Sequence, residues 1–153
     1  MDMQTLQALR RDAEDICRSA IAASVPDAAV RRALAQLPPC AGQTVLISIG
    51  KAGWQTAKAA YDALGSAIQR GVVVTKYGHS QGAIGSFAIY EAGHPVPDEN
   101  SVRATEAALE AVRNLTPADR VLFLVSGGGS ALFEQPLVPL AELEDITGQM
   151  LAC

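Results

Sequence analysis

The sequence has no excess of positive charge: its 12 lysines and arginines are outnumbered by 16 aspartates and glutamates, which gives a formal net charge of −4 at pH 7. Such a chain offers no basic field to hold a polyphosphate backbone, so nucleic acid is not an expected partner. It also lacks any run of about 18 consecutive apolar residues, the length that a membrane-spanning helix needs. The N-terminus has no basic segment followed by an apolar run, which argues against a signal peptide. We expect a cytoplasmic protein that binds a small molecule and neither nucleic acid nor a membrane.

Cysteine is scarce as well. Cys17, Cys40 and Cys153 are odd in number and none forms a C-x-x-C pair, so neither a disulfide framework nor a zinc knuckle is indicated. His79 and His94 have no local cluster of Cys, Asp or Glu that would complete a metal site. We therefore predict reduced thiols and no metal site.

Residues 1–40 predict a helical lead-in of two helices. Apolar residues recur at helical spacing from Leu6 to Ala20, which predicts a long amphipathic first helix. Asp27 is the expected cap of a second helix, which the Pro38-Pro39 pair ends because proline has no N–H to donate.

Residues 41–153 predict an α/β domain. Short β-branched runs predict strands at 45–49, 72–75, 87–90 and 121–125, and their continuous apolar character is typical of parallel strands covered on both faces. A helix that stops at Gly65 separates the first two strands. Another separates the last two, with an apolar stripe of Val102, Thr105, Leu109, Val112 and Leu115. This alternation predicts a doubly wound, mainly parallel sheet. A last helix after Pro139 is still in phase at Cys153 without a cap, so we expect the chain to be incomplete.

Chemistry-bearing residues follow each predicted strand, where open α/β sheets bind their ligands. They are Lys51, then Lys76 and His79, then His94, and finally the run Ser126, Gly127, Gly128, Gly129 and Ser130. Three adjacent residues without Cβ can turn several N–H groups toward one anion, and the two serines would add hydroxyl donors. The alternative is a tight turn whose glycines serve only close packing.

Lys51 stands where a strand passes into a helix, and a cation there would neutralise a bound phosphate; the alternative is a solvated surface lysine. The segment is not a P-loop, because Val45 and Ala52 occupy positions that need glycine and Ser or Thr. The dinucleotide fingerprint G-x-G-x-x-G is absent too. Each histidine is either a hydrogen-bonding loop residue or a catalytic group, and Asp98 is the expected cap of the following helix.

Four ordered motifs resemble the class II glycerate kinases, whose members are often labelled hydroxypyruvate reductases. The motifs are Gly50-Lys51-Ala52, the segments 72–79 (VVVTKYGH) and 91–98 (EAGHPVPD), and the segment 124–132 (LVSGGGSAL). The resemblance implies ATP-dependent phosphorylation of D-glycerate to 2-phosphoglycerate, with ATP and Mg²⁺, by a Rossmann-like N-terminal domain that faces a C-terminal domain across a cleft. It matches Lys51 to a lysine that contacts the transferring phosphate or substrate, and Gly127 to Ser130 to the phosphate-side loop.

Members of that family continue well beyond the position of Cys153, so the C-terminal domain is expected to be absent here and the chain alone to be inactive. The residues leave two other functions open. One is a non-catalytic module that binds a phosphate or sugar phosphate; the other is a hydroxypyruvate reductase, which needs a nicotinamide site. An exposed cleft face would also favour homo-oligomers or other association.

Overall fold

The computed structural model describes residues 2–153 and contains a four-stranded sheet in which every neighbouring pair is parallel, in the order β3-β2-β1-β4. The strands are β1 (Thr44–Ile49), β2 (Ile68–Lys76), β3 (Ala88–Ala92) and β4 (Arg120–Val125). The helices are α1 (Met3–Ser24), α2 (Asp27–Leu34), α3 (Gly53–Leu64), α4 (Glu99–Ala111), α5 (Gly129–Leu132) and α6 (Leu140–Leu151). The predicted α/β class and parallel sheet are confirmed.

Helices cover both faces of the sheet. Successive residues of β1 point to opposite faces, so Leu46 packs under α3 while Val45 and Ile47 pack under α4. One core cluster consists of Leu34, Leu46, Trp54, Ala57, Ala60, Ile68, Val73, Ile84, Phe87 and Leu122. The other consists of Val45, Ile47, Ile49, Val72, Val74, Ala92, Ala104, Ala108 and Leu132. Each large aliphatic side chain in them contributes about 1.5–3 kcal/mol by leaving water.

Helix α4 meets the sheet only partly through the predicted stripe. Thr105 of that stripe is buried and Val112 packs against the same core, but Leu109 is wrong, since it is 49% exposed. The buried positions also include Ser101, Ala104 and Ala108, which recur at helical spacing. Their small side chains let α4 lie close against β2 and β3, and a leucine would hold the helix away.

Strand β4 lies at an edge of the sheet. The expectation that every strand is covered on both faces is wrong for β4, because α4 packs over β2 and β3 instead. Val121, Phe123 and Val125 are therefore 41%, 50% and 64% exposed.

The two N-terminal helices differ in how they pack. Helix α1 forms where predicted, yet no residue of it is buried. Helix α2 contributes Leu34 to the core beneath α3. Asp27 is the first residue of α2 and not its cap; its carboxylate accepts hydrogen bonds of 2.9 Å from Gln55 Nε2 of α3. A boundary at residue 40 stays a prediction. No helix within residues 2–153 is both long and apolar enough to cross a membrane.

Candidate anion-binding site

The carboxyl ends of all four strands meet at one edge of the sheet, because the strands are parallel. Ile49, Lys76, Ala92 and Val125 are the last residues of the four strands. The loops that follow therefore leave the sheet side by side, as the sequence predicts.

Lys51 and His94 converge on the backbone of Gly128. Gly128 has a φ of +82°, a left-handed conformation that favours glycine. A Cβ at this position would overlap Nε2 of His94 and would lie 3.4 Å from Cε of Lys51. The missing side chain thus lets an imidazole and a lysine reach the same point on the turn.

The other two glycines of the turn serve different purposes. A Cβ on Gly129 would lie 3.1 Å from Cδ1 of Ile49, so close packing explains that glycine, whereas a Cβ on Gly127 would meet nothing within 4 Å. The N–H groups of Gly127, Gly128 and Gly129 donate no hydrogen bond within residues 2–153. Packing accounts for two of the glycines, and the turn presents three free donors.

Hydrogen bonds of Ser126 connect the turn to the end of β1 and to the residues that follow it. Its N–H and its hydroxyl both donate to the carbonyl of Ile49, at 2.9 and 3.1 Å, and its Oγ accepts from Ala52 N at 2.9 Å. The N–H of Lys51 donates to Gly127 O at 3.0 Å. The hydroxyl hydrogen of Ser126 is therefore already used in a hydrogen bond within the protein. Ser130 is exposed at the start of the single helical turn α5. Donation by either serine to an anion stays a prediction.

The charged residues near this turn are cations. Lys51 is exposed and Lys76 is half-buried, and neither forms an ion pair with a carboxylate of residues 2–153. His79 is exposed, and its Nδ1 lies 3.1 Å from the carbonyl oxygen of Lys51. Uncompensated positive charge beside free N–H groups is a suitable environment for an anion.

His94 is held in its neutral form. Burial lowers the pKa of its imidazole, and the positive charges of Lys51, Lys76 and His79 lower it further. Its Nε2 is buried and has no hydrogen-bond partner among the described residues. A buried polar atom without a hydrogen-bond partner lowers stability, unless a ligand supplies the missing hydrogen bond.

Asp98 caps α4 as predicted, within a hydrogen-bond network that the sequence does not reveal. Its side chain accepts from Ser101 N at 3.0 Å and from the hydroxyl of Tyr77 at 2.6 Å. Burial opposes ionisation of Asp98, but the hydrogen bonds from Tyr77, Gly93 and Ser101 outweigh it and keep the pKa below its ordinary value. Asn100 Nδ2 donates to the Tyr77 hydroxyl at 2.8 Å. The network joins the β2 exit to α4.

A groove of about 640 Å³ runs beside Lys51 and His79. Its other wall comes from the end of α1 and the residues after it, including Ile21, Val25 and Pro26. Within residues 2–153, no group of three or more His, Cys, Asp or Glu side chains is placed to hold a metal.

Residues 12–153 match the family described as a domain of unknown function, DUF4147. The chain belongs to this family. Among relatives of the DUF4147 chain, a D-glycerate 2-kinase of Thermotoga maritima is 50% identical over 147 residues, which are 95% of this chain and 35% of the relative. A protein of Agrobacterium vitis whose name is that of a hydroxypyruvate reductase is 42% identical over 88% of this chain and 29% of its own length.

Two solved structures confirm the fold of this family member. The glycerate kinase of Thermotoga maritima superposes with a TM-score of 0.83 over 95% of this chain and 35% of its own. A protein of Pyrococcus horikoshii, 33% identical, superposes with a TM-score of 0.78 over 94% of this chain and 35% of its own. The predicted resemblance to the glycerate 2-kinases is confirmed, and the chain spans about a third of the length of these relatives.

Proposed function

We propose that the chain forms the phosphate-binding side of a D-glycerate 2-kinase site. In a polypeptide of the relatives' length, that site would phosphorylate D-glycerate with ATP to give 2-phosphoglycerate. The observation that carries the proposal is the convergence of Lys51 and His94 on Gly128, beside three N–H groups without acceptors. The glycerate 2-kinase relatives supply the substrate class.

The proposed roles follow from where charge develops during phosphoryl transfer. The 2-hydroxyl oxygen of glycerate gives up its proton to a base and bonds to the γ-phosphorus as the bond to the leaving oxygen of ADP breaks. Charge spreads over three equatorial oxygens, and none of residues 2–153 is assigned as the base. Lys51 neutralises that charge, and the N–H groups of Gly127, Gly128 and Gly129 hold the oxygens. His94 orients the substrate, while Lys76 and His79 add positive potential at the same edge.

Residues 2–153 do not supply everything that this reaction needs. Magnesium prefers carboxylate oxygens, but Asp98 is bonded to Tyr77 and Ser101, and Glu91 accepts from Ser80 N at 2.9 Å. The residues present at the turn therefore do not fit Mg²⁺, and no step is assigned to it. We propose that the 153-residue chain by itself does not turn over glycerate, because positioned charge on both sides of the phosphoryl group is required.

Replacing Lys51 tests the proposed function. In an enzyme of the relatives' length that contains this chain, Lys51→Ala should lower kcat about 10²–10³-fold, as removal of one charge-stabilising group does elsewhere. Lys58→Ala is the matched control, because Lys58 lies on α3, the helix that follows Lys51, and pairs with Asp62 at 2.6 Å. It should stay within about twofold, as expected for an exposed pair. Steady-state kinetics in which both variants match the wild type would refute the role of Lys51.

A phosphate- or sugar-phosphate-binding module is the second candidate, since the same turn would serve it without a facing domain. Calorimetric titration of the chain with ATP, D-glycerate and sugar phosphates separates the two. Tight sugar-phosphate binding, together with no turnover in the longer polypeptide, would favour the module.

The reductase function has less support. Strand β2 ends at Lys76, a cation, where dinucleotide-binding folds place an acid for the ribose, and the glycine fingerprint is absent after β1. We expect no oxidation of NADH or NADPH with hydroxypyruvate. We also infer a cytoplasmic location, because all three cysteines are free thiols.

A further inference from the structure

His94 is the only described side chain whose buried polar atom lacks a hydrogen-bond partner. Its Nε2 lies against Gly128, the centre of the turn that presents free N–H groups. An imidazole nitrogen in this position accepts when the ring is neutral and donates when the ring is charged. Which state is stable depends on the charges around it.

Those charges come from every element that faces His94. Lys51 follows β1, Lys76 ends β2 and His79 lies in the loop after β2, and all three oppose a positive imidazole. The glycine turn after β4 contributes no titratable group. Within the loop of His94 itself, Asp98 directs its carboxylate to Tyr77 and Ser101. Without an anion, the surroundings thus hold His94 uncharged.

We propose that His94 contacts the bound anion directly through Nε2, and that an anion bound at the Gly127–Gly129 turn draws one proton from solvent onto its imidazole. A dianion at the turn compensates Lys51 and Lys76, which removes the repulsion that keeps the ring neutral. The charged ring then turns the orphaned Nε2 into a donor for the anion. The inference rests on the proposed function, because both need an anion at the same turn.

Proton uptake makes anion binding depend on pH in a defined direction. Binding that raises the pKa of His94 must be tighter at low pH, where the ring is already protonated. If binding raises the pKa of His94 by one unit, the anion binds about tenfold more tightly at a pH below the free and bound pKa values than at a pH above both. The midpoint shift and the affinity ratio must agree.

Nuclear magnetic resonance of the two histidines tests this inference on the whole 153-residue chain. The probe is sulfate, a tetrahedral dianion that does not itself titrate between pH 5 and 8.5, compared with chloride at equal ionic strength. We expect the His94 midpoint to lie below its ordinary value in chloride and to rise by about one unit or more in saturating sulfate. His79→Gln assigns the signals, since the sequence has two histidines.

A variant supplies the second measurement. His94→Gln keeps a polar group at the turn but cannot titrate, so its sulfate affinity should lose the tenfold dependence on pH. Sulfate that shifts the amide signals of Gly127–Gly129 while the wild-type His94 midpoint stays fixed would overturn the inference. It would leave the proposed function standing, since that depends on the Lys51 kinetics. No sulfate effect on those amides would overturn the inference as well.

Discussion

Three adjacent glycines look equivalent in the sequence, but the structure gives each a different environment. Gly128 combines a positive φ with the close approach of His94, Gly129 packs on Ile49, and Gly127 has open space around its missing Cβ. These differences separate the two explanations for the run: close packing favours glycine at positions 128 and 129, and the free N–H groups of the turn remain available for a ligand.

Gly128→Ala should therefore be costly. The new Cβ would overlap Nε2 of His94 and would also force alanine into the left-handed region, so we expect a loss of about 1–3 kcal/mol in the free energy of unfolding. Urea unfolding measures it, with fluorescence of the single Trp54 as the signal, because that indole is buried and donates to Gly82 O at 2.7 Å.

Gly127→Ala is the matched control for stability. It should change the free energy of unfolding by no more than about 0.5 kcal/mol, because its Cβ meets no neighbour. Equal losses in the two variants would contradict the distinct environments described for them.

The sequence predicts which residues meet at this site better than it predicts how they interact. Parallel strands send their exits to one edge, so Lys51, His94 and the glycine turn are expected neighbours from the order of elements alone. The order of elements does not predict the hydrogen bonds from Ser126 to Ile49 and from Tyr77 to Asp98. These bonds depend on rotamers and loop paths between residues far apart in the chain, which spacing does not encode.

At the scale of whole elements, the hydrophobic pattern predicts where helices and strands form and which of the two each segment is. Helix α3 ends immediately before Gly65 and α6 begins immediately after Pro139, as their local signals indicate. The pattern does not say that β4 is an edge strand, because an apolar run reads the same in the centre of a sheet and at its rim. It also places Leu109 of α4 on the buried face, where small residues pack closest and Leu109 itself is exposed.

The cap of α4 gives a prediction at this scale. Asp98→Ala should lower the free energy of unfolding at pH 7 by about 0.5–2 kcal/mol, as loss of an N-cap does. Asp2→Ala is the control: Asp2 also caps a helix, accepting from Thr5 N at 2.7 Å, but α1 buries nothing. Urea unfolding followed by Trp54 fluorescence should give the same free energy of unfolding for Asp2→Ala as for the wild type.

The effect of Asp98 should also depend on pH. Because its pKa is lower in the folded state, its contribution is present above the unfolded value of about 3.9 and is lost as the pH falls through the folded value. The gap between wild type and Asp98→Ala should therefore shrink steadily in acid. A gap that stays constant down to pH 2 would show that the ionised carboxylate is not what stabilises the cap.

At the scale of the whole molecule, apolar surface is distributed unevenly. The outer part of the α4 side of the sheet shows Val121, Phe123 and Val125, with Leu109 beside them. Strand β4 also has one free edge, since it pairs only with β1 within residues 2–153. An edge strand with exposed apolar side chains is a ready surface for pairing with another chain.

We expect the chain to self-associate through β4, and Val121→Lys to reduce that association. A lysine on an edge strand must be desolvated when another strand pairs beside it, so the variant should sediment as a monomer at concentrations where the wild type does not. Leu137→Lys is the control, because it adds the same charge at a fully exposed leucine away from β4. If the two lysine variants shifted the sedimentation coefficient equally, net charge would be responsible and not the edge strand. If the wild type remained monomeric at every concentration, the exposed face of β4 would not be an association surface of this chain.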